Sequence, residues 1–223
     1  MNREGVGFPG NAEEMGAFFD ARATGYEDHM RNNVDAFEAF YAAAIDAIPT
    51  RSSRLRVLDL GVGTGLELDR LFARYPEAQV TAMDLSEGML SVLRAKPRPW
   101  QSRLALIHDS FLTGDFPSTS YDVVLSVMAL HHWTPEIKAA LYRRIRSSLV
   151  SDGTFVNADY IESKAASDLR LDTFRSMGID ASHERHIDLP LPPDHEKQLL
   201  LDAGFRIVRL PYCGNRTAVF AAS

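Results

Sequence analysis

Between residues 12 and 49 apolar side chains recur at three- and four-residue steps: Val34, Phe37, Tyr41, Ala44, Ile45 and Ile48. That spacing lays one apolar stripe along a helix, and Pro49 ends it. From residue 54 the period changes. "LRVLDL" has the apolar run of a strand buried on both faces. "TGLELDRLFARY" returns to helical spacing through Leu66, Leu68, Leu71, Phe72 and Tyr75. "AQVTAMD" predicts a second strand, after which Ser86 caps a short helix running through Leu93. "LALIHD" and "YDVVLSVM" predict strands three and four. "TPEIKAALYRRIRSSL" opens a helix with Thr134 as N-cap, Pro135 at its first position and Glu136 beside its positive end. "GTFVNADY" predicts strand five.

This alternation argues for a parallel sheet with helices on both faces. The tail departs from it. "FRIVRLPY" and "NRTAVFAAS" are strands with no room for a helix between them, so they pair antiparallel. The expected fold class is therefore α/β: a Rossmann-like doubly wound sheet, mostly parallel, with a C-terminal antiparallel hairpin and a helical N-terminal cap. The cap takes residues 1–50 and the sheet domain residues 51–223. Residues 161–192 fit neither period and read as a lid inserted over the carboxyl ends of the strands, ahead of the helix in "DHEKQLLLDAG". Residues 1–11, rich in Gly, Asn and Pro, read as loose.

Composition narrows the function classes. A chain of 223 residues, 45% hydrophobic and 24% charged, suits one ordinary globular domain. No apolar run approaches the roughly 18 residues of a membrane span, and "MNREGVGFPGNAEEMG" lacks the features of a signal peptide. A cytoplasmic protein with no membrane partner is expected. Net charge is -6 and the cations are scattered; the densest patch, "RRIRSS", falls at a helix end. That argues against a nucleic-acid partner. Cys213, the single cysteine, makes neither an internal disulfide nor a thiolate metal site by itself.

The candidate chemistry starts at "VLDLGVGTG", residues 57–65. Gly61, Gly63 and Gly65 let the backbone turn tightly and approach a ligand, with a helix N-terminus aimed at the same place. The phosphate-binding loop needs Lys after the last glycine, and the dinucleotide fingerprint needs a glycine at position 66; Leu66 satisfies neither. Asp59, inside the mouth, would repel a pyrophosphate and attract a cation. Asp84, at the end of strand two, suits the two hydroxyls of a ribose. Asp109 ends strand three, followed by Ser110 and Phe111; the acid could accept from an exocyclic amine and the ring could cover a purine. Singly, Asp59 also reads as a cap for its own loop and Asp84 as a helix-entry residue. Together, acids at successive strand tips suit a cationic nucleoside.

These segments resemble class I S-adenosylmethionine-dependent methyltransferases of the small-molecule type. "VLDLGVGTG", "VTAMDLSEGML", "LIHDSF" and "YDVVLSVMALHHW" are similar to the family's first four motifs, and "LVSDGTFVNAD" to its passage into strand five; the likeness covers roughly residues 54–160. The resemblance implies S-adenosyl-L-methionine as cofactor and S-adenosyl-L-homocysteine as product. It implies that Asp59, Gly61 and Gly63 face the methionine moiety, that Asp84 holds the ribose, that Leu85, Met89, Asp109 and Phe111 surround the adenine beside Ser110, and that Ser126 lies under the cofactor. "FFDARATGYEDHM" resembles a segment of small-molecule methyltransferases and of carboxy-S-adenosylmethionine synthases, in which a Tyr at the position of Tyr26 touches the carboxylate end. Tyr26 equally reads as a packing aromatic. The Asn-Pro-Pro-Tyr type of tetrad carried by base-methylating enzymes is missing after strand four.

Methyl transfer needs positioned reactants and, for an acceptor that holds a proton, a base. His131 and His132 follow strand four and are the candidate catalytic residues, since imidazole titrates near neutrality; equally, one reads as a loop cap and the other as packing under the insertion. No metal is expected: adjacent histidines seldom direct both rings at one ion, and no third ligand is obvious. His183, His186 and Asp188 form a weaker second cluster, and Asp159 and Tyr160 are candidates for substrate contact. The expected function is methyl transfer to a small-molecule acceptor. The alternatives are a carboxy-S-adenosylmethionine synthase, for which Arg170, Arg175 or Arg185 would hold a carboxylate, and a non-catalytic S-adenosylmethionine-binding protein. The acceptor atom and the oligomeric state, a homodimer among the options, stay open.

Overall fold

The computed structural model describes residues 14–50, 54–116, 121–178 and 185–223. Its strands are β1 (Arg56–Leu60), β2 (Gln79–Asp84), β3 (Leu104–His108), β4 (Tyr121–Val127), β5 (Leu149–Tyr160), β6 (Val208–Cys213) and β7 (Thr217–Ala222). They form one sheet in the order β3-β2-β1-β4-β5-β7-β6. The first five strands pair in parallel, while β7 pairs antiparallel with both β5 and β6. The expected fold class is the observed one. From β1 the chain winds outward to β3 and then returns to β4 on the other side of β1. This reversal opens a crevice at the carboxyl ends of β1 and β4, where ligands of such sheets bind.

The helices are α1 (Met15–Arg22), α2 (Tyr26–Asn33), α3 (Phe37–Asp46), α4 (Leu68–Arg74), α5 (Glu87–Ala95), α6 (Pro135–Ser148), α7 (Lys164–Ser176) and α8 (Pro193–Asp202). Alternation along the strands divides the core between the two faces. Val57, Val80 and Val123 pack with Phe40, Tyr41, Leu68 and Leu71. Leu58, Leu60 and Val124 pack with Leu141, Tyr142, Ile145 and Leu200. Among the described residues no helix is long and apolar enough to cross a membrane.

Three local expectations need correction. The N-terminal stretch is three helices rather than one stripe on a single helix. A short 3-10 turn, Ala23–Gly25, divides α1 from α2, and the chain bends between α2 and α3 where Ala36 adopts a left-handed φ of 50°. The Asn33 amide donates back to the His29 carbonyl at 2.8 Å and closes α2. All six stripe residues are buried nonetheless, because the elements present them to the same core. Second, the helix after the glycine loop begins at Leu68, since Gly65 holds a φ of +76°. Third, residues 161–192 contain a helix, α7, capped by Ser163. Its stripe was too thin to read: Leu171 and Phe174 are buried with Ile187 and Leu189, while Leu169 on the same helix is 68% exposed.

Candidate functional site

The glycine loop is pinned to the tip of β2. Gly61 N–H and Val62 N–H donate to the Met83 carbonyl at 2.8 and 3.3 Å. Gly63 N–H donates to Asp84 Oδ2 at 2.7 Å, and Ser86 N–H donates to Asp84 Oδ1 at 2.8 Å. Asp84 therefore ties the loop to the start of α5. Burial raises its pKa, and these two bonds offset only part of that rise. Gly61 has a φ of +79°, and a Cβ there would lie 2.4 Å from the Ala129 Cβ. No larger residue fits, because the loop runs against the chain leaving β4. The Tyr26 ring lies beside Gly63, 3.9 Å from where a side chain would start. Burial, then the nearby Asp84 and Glu67 charges, push its phenol well above the ordinary value.

Behind the loop lies a pair of buried acids. Asp59 is 1% exposed and Glu67, at the entry to α4, is 4% exposed. Neither Asp59 oxygen nor Glu67 Oε1 has a partner of regular hydrogen-bond geometry. The two carboxyls interact with each other instead. Burial pushes Asp59 up to about 7, against a hydrogen bond from Glu67 that lowers it; burial and then the Asp59 charge push Glu67 well above the carboxylate range, and the Asp84 charge raises both. A buried acid pair beside a backbone stripped of side chains suits a positively charged ligand.

The remaining predicted contacts sit around this loop. Met89 is buried in α5, and its N–H donates to Ser86 Oγ at 3.0 Å. Leu85 is partly buried, and its carbonyl lies 3.1 Å from His108 Nε2. Asp109 is exposed just past β3 and accepts from Ser110 N–H at 2.7 Å; Ser110 Oγ accepts from Leu112 N–H at 3.1 Å. Phe111 is buried, 3.6 Å from the position of a Gly61 side chain, and meets Trp133 edge-on at a centroid distance of 6.2 Å. Arg144 holds that corner through the Phe111, Leu112 and Gly114 carbonyls. Ser126 is fully buried, with its hydroxyl committed to the Leu60 carbonyl at 2.9 Å, so it ties β4 to β1 beneath the crevice.

The β4 and β5 tips carry the second half of the site. A 3-10 turn, Leu130–His132, presents both candidate histidines, each buried. His131 Nδ1 lies 2.5 Å from Asp159 Oδ1, and Asp159 also accepts from Leu130 N–H at 2.9 Å and Tyr160 N–H at 2.8 Å. Burial acts to lower the His131 pKa, but the Asp159 charge and hydrogen bond outweigh it and the net shift is upward. Asp159 moves down: burial would raise it, and the His131 charge more than reverses that. His132 bonds through Nδ1 to the Ile187 carbonyl at 2.7 Å, and burial with the neighbouring His131 lowers its pKa. Leu189 N–H returns a bond to the His131 carbonyl at 2.7 Å. The segment leading to α8 is thus fastened over the histidine turn.

Two expectations change here. A third ligand-type residue does face the histidine pair: Asp188, whose carboxylate reaches 3.4 Å from His132 Nδ1 and 3.7 Å from His131 Nε2. The reason for expecting no metal therefore falls away. The cluster of His183, His186 and Asp188 is not separate from the histidine pair: His186 and Asp188 join it, and His183 lies outside the described residues. Sequence reasoning passed over Glu67 and Asp20. A second acid soon after a glycine loop is a usable signal for Glu67. Nothing local marks Asp20, which accepts from Ser86 Oγ at 2.6 Å and Gly88 N–H at 2.8 Å and so docks α1 on the start of α5.

The chain is similar to several known proteins. Residues 57–153 match a family described as "Methyltransferase domain". Over 112 residues the chain is 33% identical to malonyl-[acyl-carrier protein] O-methyltransferase of Halorhodospira halophila, covering 50% of this chain and 37% of that protein. It is 21% identical to carboxy-S-adenosyl-L-methionine synthase of Nautilia profundicola over 224 residues, covering 94% of this chain and 95% of that one. The solved DhpI-SAM-HEP complex superposes with a TM-score of 0.68 at 19% identity, covering 93% and 94% of the two chains; that likeness is one of fold.

Proposed function

We propose that this chain, whose residues 57–153 match a methyltransferase domain, is a class I S-adenosylmethionine-dependent enzyme that moves the methyl group of S-adenosyl-L-methionine to a small-molecule acceptor. The reading carries with it a cytoplasmic enzyme working without a nucleic-acid or membrane partner. The observation that supports it best is the pair of half-sites on one sheet edge. Asp59, the glycine loop and Asp84 sit at the β1 and β2 tips, and His131 backed by Asp159 sits at the β4 and β5 tips.

The orphaned Asp59 oxygens and the Gly61 cradle fit a cationic, closely apposed ligand. When bound, the cofactor supplies an electrophilic methyl on a sulfonium that already holds its leaving group. Asp84 would take the ribose with its free lone pairs, while its existing bonds keep the carboxylate still. Leu85, Met89, Asp109, Ser110 and Phe111 would bound the adenine, and Tyr26 the methionine end. His131 Nε2 would accept the acceptor's proton. Asp159 holds Nδ1–H, which sets the tautomer and stabilises the imidazolium that results. His132, fixed to Ile187, would shape the mouth.

Calorimetric titration of S-adenosylmethionine tests the first half. The parent should bind, and Asp84→Ala should weaken binding by about 2 kcal/mol or more, with folding checked by circular dichroism. No binding by the parent, or equal binding by a folded variant, would remove the reading. A second reading is favoured by the end-to-end likeness to the carboxy-S-adenosylmethionine synthase: formation of a carboxylated cofactor. Arg170 already engages Glu162 at 3.0 Å and Arg175 engages Glu136 at 3.4 Å, so each would have to exchange a partner. The mass of the ligand released from purified protein separates the two readings.

A further inference from the structure

Three imidazoles converge on one carboxylate oxygen where the segment before α8 crosses the β4 tip. Asp188 Oδ1 lies 3.7 Å from His131 Nε2, 3.4 Å from His132 Nδ1 and 3.9 Å from His186 Nε2. All three distances exceed the roughly 2.7–2.9 Å of a charge-assisted hydrogen bond. They come near the roughly 3.3–3.6 Å between two ligands that each sit about 2.0–2.2 Å from one tetrahedral ion. Among the described residues, His131, His132 and Asp188 are the group whose donor atoms all lie within 4.8 Å of one another.

The surroundings are those of a ligand set. His131 Nδ1 is held by the buried Asp159 carboxylate, which leaves Nε2 toward Asp188. A carboxylate behind a histidine is the arrangement that orients an imidazole for a metal. The His186 ring is seated flat on Phe18, with centroids 3.5 Å apart and planes 11° from parallel. The Asp188 side chain stays half exposed, so an ion can enter from solvent.

We propose that His131, His132 and Asp188 form a three-ligand site for a divalent transition-metal ion that staples Asp188 and its neighbours to the β4 tip. Imidazole nitrogens with a single carboxylate and no thiolate suit Zn²⁺, Co²⁺ or Ni²⁺; Mg²⁺ and Ca²⁺ prefer oxygen throughout. Ligation changes one existing contact. His132 Nδ1 now bonds to the Ile187 carbonyl, so its proton must move to Nε2 and the carbonyl must let go. Ligation also occupies the His131 lone pair that proton transfer would use, so the metal-loaded form and a His131 base exclude each other.

The test uses the full chain, stripped of metal and free of cofactor, so its outcome is independent of methyl transfer. ZnCl₂ is titrated calorimetrically while the ¹⁵N resonances of the histidine rings are followed. The site requires one ion per chain, with the largest shifts at His131 and His132. Asp188→Asn should abolish stoichiometric binding, and Asp159→Asn should weaken it by about 10–100-fold. Absence of binding, shifts confined to His29, His108 or His195, or undiminished affinity in a folded Asp188→Asn variant would overturn the site. The ring resonances are read on the parent chain, so the outcome does not hang on whether a variant folds.

Discussion

The two halves of the crevice solve opposite problems. At the β1 and β2 tips, Asp59 and Glu67 are buried without regular hydrogen-bond partners, and burial holds both acids toward their protonated forms. At the β4 and β5 tips, His131 and Asp159 are equally buried, but each charge answers the other. The first half holds its acids toward neutrality; the second pairs its charges. On the proposed function, the first half would receive the charged cofactor and the second would deprotonate the acceptor with a base whose geometry is already set.

The sharpest break in that comparison is His131→Gln. If the second half supplies the base, turnover should fall by about 10²–10⁴-fold with cofactor affinity retained. The pH profile adds a sign. The base works only as neutral imidazole, so kcat/KM should rise with pH through the raised His131 pKa. Asp159→Asn removes the carboxylate that raises it and should move that limb to lower pH, at a reduced plateau. A flat profile in both proteins would mean the acceptor arrives already ionised.

Next in size is Gly61→Ala. The left-handed φ and the close approach to Ala129 should together cost about 2–4 kcal/mol of stability, read by urea unfolding. Gly25→Ala is the control. It has nothing within 4 Å and no left-handed φ, so it should stay within about 0.5 kcal/mol. Equal loss in both would mean the loop tolerates a side chain.

The smallest effect tests the uncompensated half directly. Asp59 has a folded pKa of about 7, above its unfolded value of 3.8, so the native state binds the extra proton. Its stabilising contribution is present at low pH and is lost as pH rises through about 7. Ligand-free protein should therefore weaken by about 1–3 kcal/mol between roughly pH 5 and 7, and Asp59→Asn should remove the Asp59 share of that slope while the raised Glu67 keeps its own. An unchanged slope would place the titration on another group.

Much of the β1–β2 half was legible in the chain. Strand-helix order, the three glycines and the acids after β1 and β2 are local signals, set by period and by the special needs of a tight loop. The histidines were legible as candidates, but their roles were not. Asp159 lies 28 residues from His131, and Ile187 lies 55 from His132. Only the parallel pairing of β4 with β5, and the return of the chain before α8, bring these groups together.

What the sequence determined alone was therefore the ladder of elements and the chemistry at their ends, because periodicity and backbone freedom act over a few residues. The tertiary structure decided which polar groups meet: Glu67 with Asp59, Asp20 with Ser86, Asp188 with three imidazoles. It also divided the N-terminal stretch into three helices, with the stripe kept mainly on α3. The physical reason is the same in each case. A buried polar group takes the partner that packing delivers, and neighbours delivered across strand tips leave no trace in the local pattern.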